Sequence, residues 1–477
     1  MIDESEIRSL QRVTAALPAA RVTLPAVGAK VPPADPSESL VVALDDDPTG
    51  TQSVHGVDVV TRWDVDTFVA QFQTRDPAFF VLTNSRGMPE SDARRIVDEI
   101  AHSLRVASGK TGRAFTCISR SDSTLRGHYP AEIEALAERL EMPEAITVLC
   151  PFFAAGGRVT VDDIHYVLDG DRMIPAAQTP FAADASFGYR HSNLRRWVIE
   201  KTSGRVSDQA IESLSIDDLR GLETASIVEK ILSVPAGGVL IINALDPADV
   251  ETAIIALRAA RDAGKRFLYR TAADFVRLAA KIPKQDLLGE SEISRGDHPA
   301  GLIVVGSHVP KSTEQLERLC DQCPDLQRLE LPVHACLDAS AQALCDRLTE
   351  KINANLAAGR DTLLATSREL VTFSDRDESL AASRRVSAAL VKVVRGIETP
   401  LRFLVAKGGI TSSDLATDAF DVQRARVLGQ ILPGIPVWRF GPESRQDGLG
   451  YIVFPGNVGD TNALLNVYET LRRKTVE

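Results

Sequence analysis

The sequence predicts two α/β domains, each with a mainly parallel sheet flanked by helices. Short apolar runs of four to six residues recur along the chain and suit buried strands. Helix-length segments separate many of them, the rhythm of parallel strands covered on both faces. A polar, turn-rich stretch at 281–300 lacks periodicity and marks the boundary between the two series.

Residues 1–35 read as an extension: one short amphipathic helix, then a Pro/Ala-rich connector from Leu24 to Pro36. A first domain over 36–290 opens with the apolar run 40–44, which ends in an acidic turn, Asp45-Asp46-Asp47-Pro48-Thr49-Gly50. Strands are predicted at 57–60, 79–83, 114–119, 146–150 and 239–243, with helices at 89–106 and 130–141. Pro89, with Glu90 and Asp92 behind it, is a good helix opening. Residues 151–200 break the rhythm with Gly, Pro and aromatic residues and read as an excursion that carries ligand contacts. A second domain over 296–477 repeats the alternation, with strands at 301–305, 361–366, 401–405, 435–439 and 451–454 and helices at 312–320, 378–396 and 460–473.

The 477 residues are 44% apolar and 25% charged, the balance of an ordinary globular protein. Lys and Arg number 54 against 65 Asp and Glu, a net charge of −11. No overall positive field draws in nucleic acid or an anionic membrane, so anionic ligands must be held by local arginines and backbone amides. No apolar run approaches the ~20 residues that span a bilayer, and the N-terminus lacks a signal-peptide pattern. Six cysteines are too few for a disulfide scaffold. The expected location is the cytoplasm, with neither nucleic acid nor membrane as partner.

In open α/β sheets, ligands gather where strand C-termini meet the following loops. Three predicted strands of the first domain end in polar clusters: 45–50, then Thr83-Asn84-Ser85-Arg86-Gly87, then Ser119-Arg120-Ser121-Asp122-Ser123-Thr124-Leu125-Arg126-Gly127. Together they supply carboxylates, hydroxyls and three arginines, a set suited to a polyhydroxylated substrate with its own carboxylate. The same residues are also ordinary cap and turn formers. In the second domain, Gly306-Ser307-His308, Lys407-Gly408-Gly409-Ile410-Thr411-Ser412 and Pro455-Gly456-Asn457 follow strands. Glycines there let backbone amides approach a phosphate, which suggests a nucleotide site.

Other signatures fail. No G-x-G-x-x-G follows a strand. Gly109-Lys110-Thr111 imitates the end of a P-loop, but Leu104 stands where its first glycine should be. Cys320 and Cys323 form one ligand-spaced pair, and Cys345 falls within a predicted helix, so these cysteines read as structural. His128 and His165 flank the polar loops as acids, donors or structural residues. G-x-S-x-G and H-E-x-x-H are absent.

The ordered set resembles the bacterial four-carbon acid sugar kinases. It comprises residues 45–50, Asn84-Ser85-Arg86, Asp122 to Gly127, Pro151-Phe152 with Gly157-Arg158-Val159-Thr160, and Thr179-Pro180-Phe181-Ala182 with Asp184. Gly306-Ser307, Gly408-Gly409-Ile410-Thr411 and Gly456-Asn457 complete it. The resemblance implies an acid-sugar domain, then an ATP domain, with the active site in the cleft between them. It implies a kinase that phosphorylates the terminal hydroxyl of threonate, erythronate, a 3-oxo-tetronate or 3-oxo-isoapionate, using ATP and Mg²⁺. Asp46, Arg86, Asp122, Ser123, Thr124, Leu125 and Arg126 would contact the acid, with Arg86 or Arg126 gripping its carboxylate. Ser307, Gly408, Gly409, Ile410, Thr411 and Gly456 would line the ATP site. Asp46 or Asp47 would act as the base; metal ligands are not assigned. The loop carries a third Asp, Pro48 fills its variable position, Arg120 stands where Lys is usual, and 185–190 is unlike the threonate kinases, which leaves the acid open. A nucleotide-regulated sensor without turnover, or another ATP-using transferase or ligase, is the alternative. Monomer and homodimer both stay open.

Overall fold

The computed structural model describes residues 4–22, 24–31, 33, 38–296, 298–338, 340–368 and 376–472, and within 376–383 it describes only the side chain of Ala382. The chain divides into two compact units, residues 1–57 with 62–285 and residues 58–61 with 286–477. Among the described residues, no helix is long and apolar enough to cross a membrane.

The first unit is built on seven strands, all paired in parallel. Their order is Ile211–Leu214, Val239–Ile242, Ile146–Cys150, Phe267–Thr271, Phe115–Arg120, Leu40–Asp45 and Ala78–Leu82. The first strand in sequence, Leu40–Asp45, thus has its successors on both sides, an arrangement that opens a crevice at its C-terminal end. Every residue of that strand is buried, as a strand covered on both faces requires. Helix Glu90–Thr111 buries Ala93, Ile96, Val97, Ile100, Leu104 and Ala107, a stripe at helical spacing. Gly112 ends it in the left-handed conformation at φ 69°.

Residues 151–200 are more ordered than their composition suggests. Arg158–Val161, Ile164–Asp169 and Arg172–Pro175 form an antiparallel meander, and Arg8–Ser9 adds a fourth strand against Met173 and Arg172. The predicted helix of the extension is present at Leu10–Ala16, capped by Ser9.

The second unit orders its strands as Arg424–Leu432, Ile435–Phe440, Gly450–Phe454, Leu404–Lys407, Leu302–Val305, Thr362–Thr366 and Gln327–Leu331. The first two junctions are antiparallel and the rest parallel. Its core packs Ile303, Val305, Val405, Ile452 and Phe454 against Leu316 and Leu319 of helix Pro310–Gln322 and Leu464 and Val467 of helix Ala463–Leu471. The strand expected at 401–405 starts at Leu404. Residues 401 and 402 make other bonds: Leu401 N–H donates to Gln446 Oε1 at 3.2 Å and Arg402 N–H to the Ala300 carbonyl at 2.8 Å. Lys407 therefore belongs to the strand, and Gly408 is the first residue past it.

Candidate functional site

In the first unit, the loops after three adjacent strands converge. Leu40–Asp45 delivers Asp45, Asp46 and Asp47; Ala78–Leu82 leads to Arg86; Phe115–Arg120 delivers Arg120 and the turn from Asp122 to Arg126. Arg86 is the hub. It donates to Asp46 from Nη2 at 2.7 Å and Nε at 3.2 Å, and its Nη1 lies 3.6 Å from Asp47 and 3.9 Å from Asp122. Arg120 pairs with Asp45 at 3.1 Å and Asp46 at 3.7 Å, and Arg126 pairs with Asp122 at 2.8 Å and Asp184 at 3.6 Å.

The predicted acid-binding residues are therefore one cluster, mostly buried. Asp46 is 4% exposed, Ser123 8% and Thr124 2%, so a ligand reaching them sheds much of its water, which strengthens each polar contact it makes. Leu125 holds φ 69°, a left-handed conformation costly for a leucine. The turn is fixed by its own polar groups: Thr124 Oγ1 donates to Asp122, Leu125 N–H donates to the Asp122 carbonyl at 3.1 Å, and Tyr189 O–H donates to the Thr124 carbonyl at 2.9 Å.

Protonation follows from these contacts. Burial would raise Asp122, but Arg86 and Arg126 hold it well below the usual carboxylate range. Asp47 is lowered against its burial by Arg86 and by its bonds to Thr49, whose N–H it caps at 2.8 Å. Burial pushes Asp45 up to about 8 despite Arg120. Burial and the nearby Asp46 push Glu132 up to about 7; its Oε1 accepts from Ser85 Oγ at 2.5 Å. The cluster thus holds ionised carboxylates beside groups that carry a proton near neutral pH.

The histidines serve the scaffold. His165 is fully buried, with its ring nitrogens 2.9 Å from Thr160 Oγ1 and 2.7 Å from the Ser123 carbonyl, and burial lowers it to about 4. His128 Nε2 lies 3.0 Å from the carbonyls of Ser85 and Met88.

In the second unit, three glycine-bearing loops meet above three adjacent parallel strands, Leu302–Val305, Leu404–Lys407 and Gly450–Phe454. Gly408, at φ 122°, leaves little room for a side chain: a Cβ would sit 3.2 Å from Ser307 Cβ and 3.1 Å from Thr411 Oγ1, in a conformation that side chains rarely adopt. A Cβ on Gly456 would lie 2.9 Å from Ser307 Oγ. Ser312 Oγ ties the loops together, 3.0 Å from both Ser307 Oγ and the Gly456 carbonyl. Ser307, Gly408, Thr411 and Gly456 thus line one backbone-walled recess, suited to phosphate. Gly409 starts the short helix that follows, and Ile410 beside it is 67% exposed.

Several residues at these two clusters were not singled out from the sequence, and Lys407 was read only as the first residue of its glycine loop. Arg270, at 2% exposure, lies over the rings of Tyr129 and Trp197 and donates to the Arg126 carbonyl at 2.9 Å. Glu132 sits on a helix that reads as purely amphipathic. Lys407 is fully buried, with Nζ 3.3 Å from the Pro455 carbonyl and over the Phe454 ring at 3.8 Å; burial, then Lys311, lowers it to about 7. Arg368 donates to the Ser307 carbonyl at 2.6 Å. Position relative to a strand end is the one sequence mark they carry: Arg270 is the penultimate residue of Phe267–Thr271, and Arg368 lies two residues past Thr362–Thr366. Among the described residues, no group of three His, Cys, Asp or Glu is placed to hold a metal ion.

Comparison with known proteins agrees with this division. Residues 41–278 match the family described as a sugar-binding N-terminal domain, and residues 302–464 match a nucleotide-binding C-terminal domain. A D-threonate kinase from Bordetella bronchiseptica is 31% identical over 172 residues, 36% of this chain and 36% of the relative. A D-erythronate kinase from Heliobacterium modesticaldum is 32% identical over 152 residues, 31% of this chain and 32% of the relative. The chain thus aligns with about a third of the length of these curated relatives. A solved structure from Salmonella typhimurium LT2 shares the fold at a TM-score of 0.63 and 15% identity, covering 89% of this chain and 98% of the other. One from Haemophilus influenzae does so at 0.61 and 14%, covering 90% and 100%. With a sugar-binding and a nucleotide-binding domain matched in that order along most of its length, this chain belongs to the family that contains the four-carbon acid sugar kinases.

Proposed function

We propose that the protein transfers the γ-phosphoryl group of ATP to the terminal hydroxyl of a four-carbon acid sugar of the threonate and erythronate kind, including oxidised and branched relatives. The observation that carries this reading is the buried carboxylate–arginine cluster after three adjacent strands of the sugar-binding half. Aspartates there can accept from sugar hydroxyls while arginines answer the anion, a pairing with little use for an apolar or cationic ligand. The names of the two kinase relatives support it.

Asp46 and the turn from Asp122 to Leu125, with Arg86 and Arg126, hold the acid. Of the two base candidates, Asp47 is the better suited. Both oxygens of Asp46 accept from Arg86 and its side chain is 4% exposed, whereas the Asp47 side chain is 19% exposed and uses only Oδ1 to cap Thr49. A carboxylate kept ionised beside the attacking hydroxyl can take its proton as the oxygen–phosphorus bond forms. ATP supplies the transferred group. Ser307, Gly408, Gly409, Thr411 and Gly456 line the place of its phosphates, with the Ser307 and Gly408 amides already bonded to the Lys407 and Phe454 carbonyls and Ile410 an apolar surface for the rest of the nucleotide. Mg²⁺ carried in with the nucleotide would neutralise the charge that develops on the transferred phosphoryl group.

The test is ADP release with ATP and Mg²⁺ over D- and L-threonate, D- and L-erythronate, 3-oxo-tetronates and 3-oxo-isoapionate. Strong turnover with one of these acids is expected. ATP binding without ADP release on any of them would overturn the reading in favour of a sensor.

A further inference from the structure

Five arginines surround the acid-sugar cluster. Arg86, Arg120 and Arg126 are each committed to two or more aspartates. Arg270 is sealed inside the fold against the stacked rings of Tyr129 and Trp197. Arg158, from the first strand of the antiparallel meander, differs from the first three in lacking an aspartate partner and from Arg270 in being partly open to solvent. Among the described residues no carboxylate lies within the 4.0 Å of an ion pair with it. Its Nε is buried without a hydrogen-bond partner, and its one side-chain bond goes from Nη1 to the Gly156 carbonyl. Its guanidinium stands over the Phe181 ring at 5.5 Å, on the ring that Arg126 also faces at 5.2 Å. The residue stays partly open to solvent.

A ligand carboxylate entering beside Asp46, Asp47 and Asp122 meets three negative groups. An arginine already paired with those groups offers it less net attraction, because its charge is largely balanced by theirs. The carboxylate needs a cation with unspent charge and free donors. Arg126 and Arg158, both set against the Phe181 ring, put that cation next to the turn that binds the hydroxyls. Burial, only partly offset by Asp122, and the nearby Arg126 disfavour the charge on Arg158, and an incoming carboxylate relieves that cost.

We infer that Arg158, backed by the Phe181 ring, is the residue that reads the substrate's carboxylate, so that the site takes small hydroxy acids and discriminates against the matching neutral polyols and amides. The inference rests on the acid-sugar kinase reading and deepens it: the anion belongs to Arg158, and Arg86 and Arg126 organise the aspartates.

The test compares the full-length protein with Arg158→Met, which keeps an unbranched apolar stem and loses the charge, and Arg158→Lys, which keeps charge and loses the planar fork. ADP release is measured on the preferred tetronate and on its neutral amide, and ADP binding together with circular dichroism reports folding. In the wild type the acid is preferred over the amide. Arg158→Met is expected to cut that preference in kcat/KM by about 10- to 100-fold, the worth of one charge-assisted pair, and Arg158→Lys by less. An unchanged acid-over-amide ratio in Arg158→Met overturns the inference, whether or not the overall rate falls, since a merely structural role lowers both substrates together. If the wild type releases no ADP on any acid, the functional reading has failed and this inference falls with it.

Discussion

Asp47 does two jobs with its two oxygens: Oδ1 caps the turn at Thr49, and Oδ2 faces Arg86 at 3.6 Å. Asn also caps helices and turns well, so Asp47→Asn separates the two. We expect kcat to fall by about 10²- to 10³-fold, the usual worth of a positioned base, with the melting temperature and the affinity for the acid nearly unchanged. A variant with wild-type kcat would remove Asp47 as the base. Glu132 makes a different prediction. Its carboxyl is held near 7 in the fold, above the ordinary 4.5, so the folded state keeps its proton longer than the unfolded chain does. The stability this adds is complete below about 4.5 and is lost as pH rises through about 7. Glu132→Gln, which still accepts from Ser85, should therefore gain stability relative to wild type between pH 5 and pH 8, on the order of 3 kcal/mol. Urea midpoints at the two pH values check this, and parallel curves would refute it.

At the scale of elements, the nucleotide recess depends on loops that leave little room for a side chain. Gly408→Val must place a branched side chain at φ 122° against Ser307 and Thr411. Nucleotide affinity should drop at least about tenfold, because a positive φ and the close contact both work against the native loop, while the acid still binds. Equal ADP affinity by calorimetry would dismiss the assignment. Much of this was legible in the sequence, because an apolar run followed at once by Asp, Ser, Arg or Gly marks a strand end wherever it occurs. The aspartates, Arg86, the turn from Asp122 and the three glycine loops lie at such ends, and each cluster came together as the strand pattern suggests. Arg270 and Glu132 were not legible: they lie within regular elements, and only tertiary packing decides that they face a site. The meander that carries Arg158 was hidden for a related reason. Its strands are four to six residues long, and its Gly- and Pro-rich surroundings imitate a loop.

For the whole molecule, the break near residue 285 is not the only crossing of the chain between units. Residues 58–61 belong with the second. There Thr61 N–H donates to the Gln423 carbonyl at 3.0 Å, and Asp58 pairs with Arg426 at 3.0 Å. The sequence could not reveal this, since the partners lie more than 360 residues apart. Expressed alone, residues 286–477 would leave Arg424–Leu432, nine residues long, as a bare sheet edge open to pairing with other chains. We expect that fragment to melt below the nucleotide half of the intact protein and to self-associate on gel filtration; a stable monomer with the full-length melting point would contradict this. The same crossing governs how members of such a family could be recombined. A chimera that takes its acid-sugar half from one protein and its nucleotide half from another, spliced only near 285, would import four foreign residues into the recipient's sheet. Swapping specificity cleanly calls for two splices, with 58–61 travelling alongside the nucleotide half, so heredity and engineering alike must treat that short tract as part of the distant module it completes.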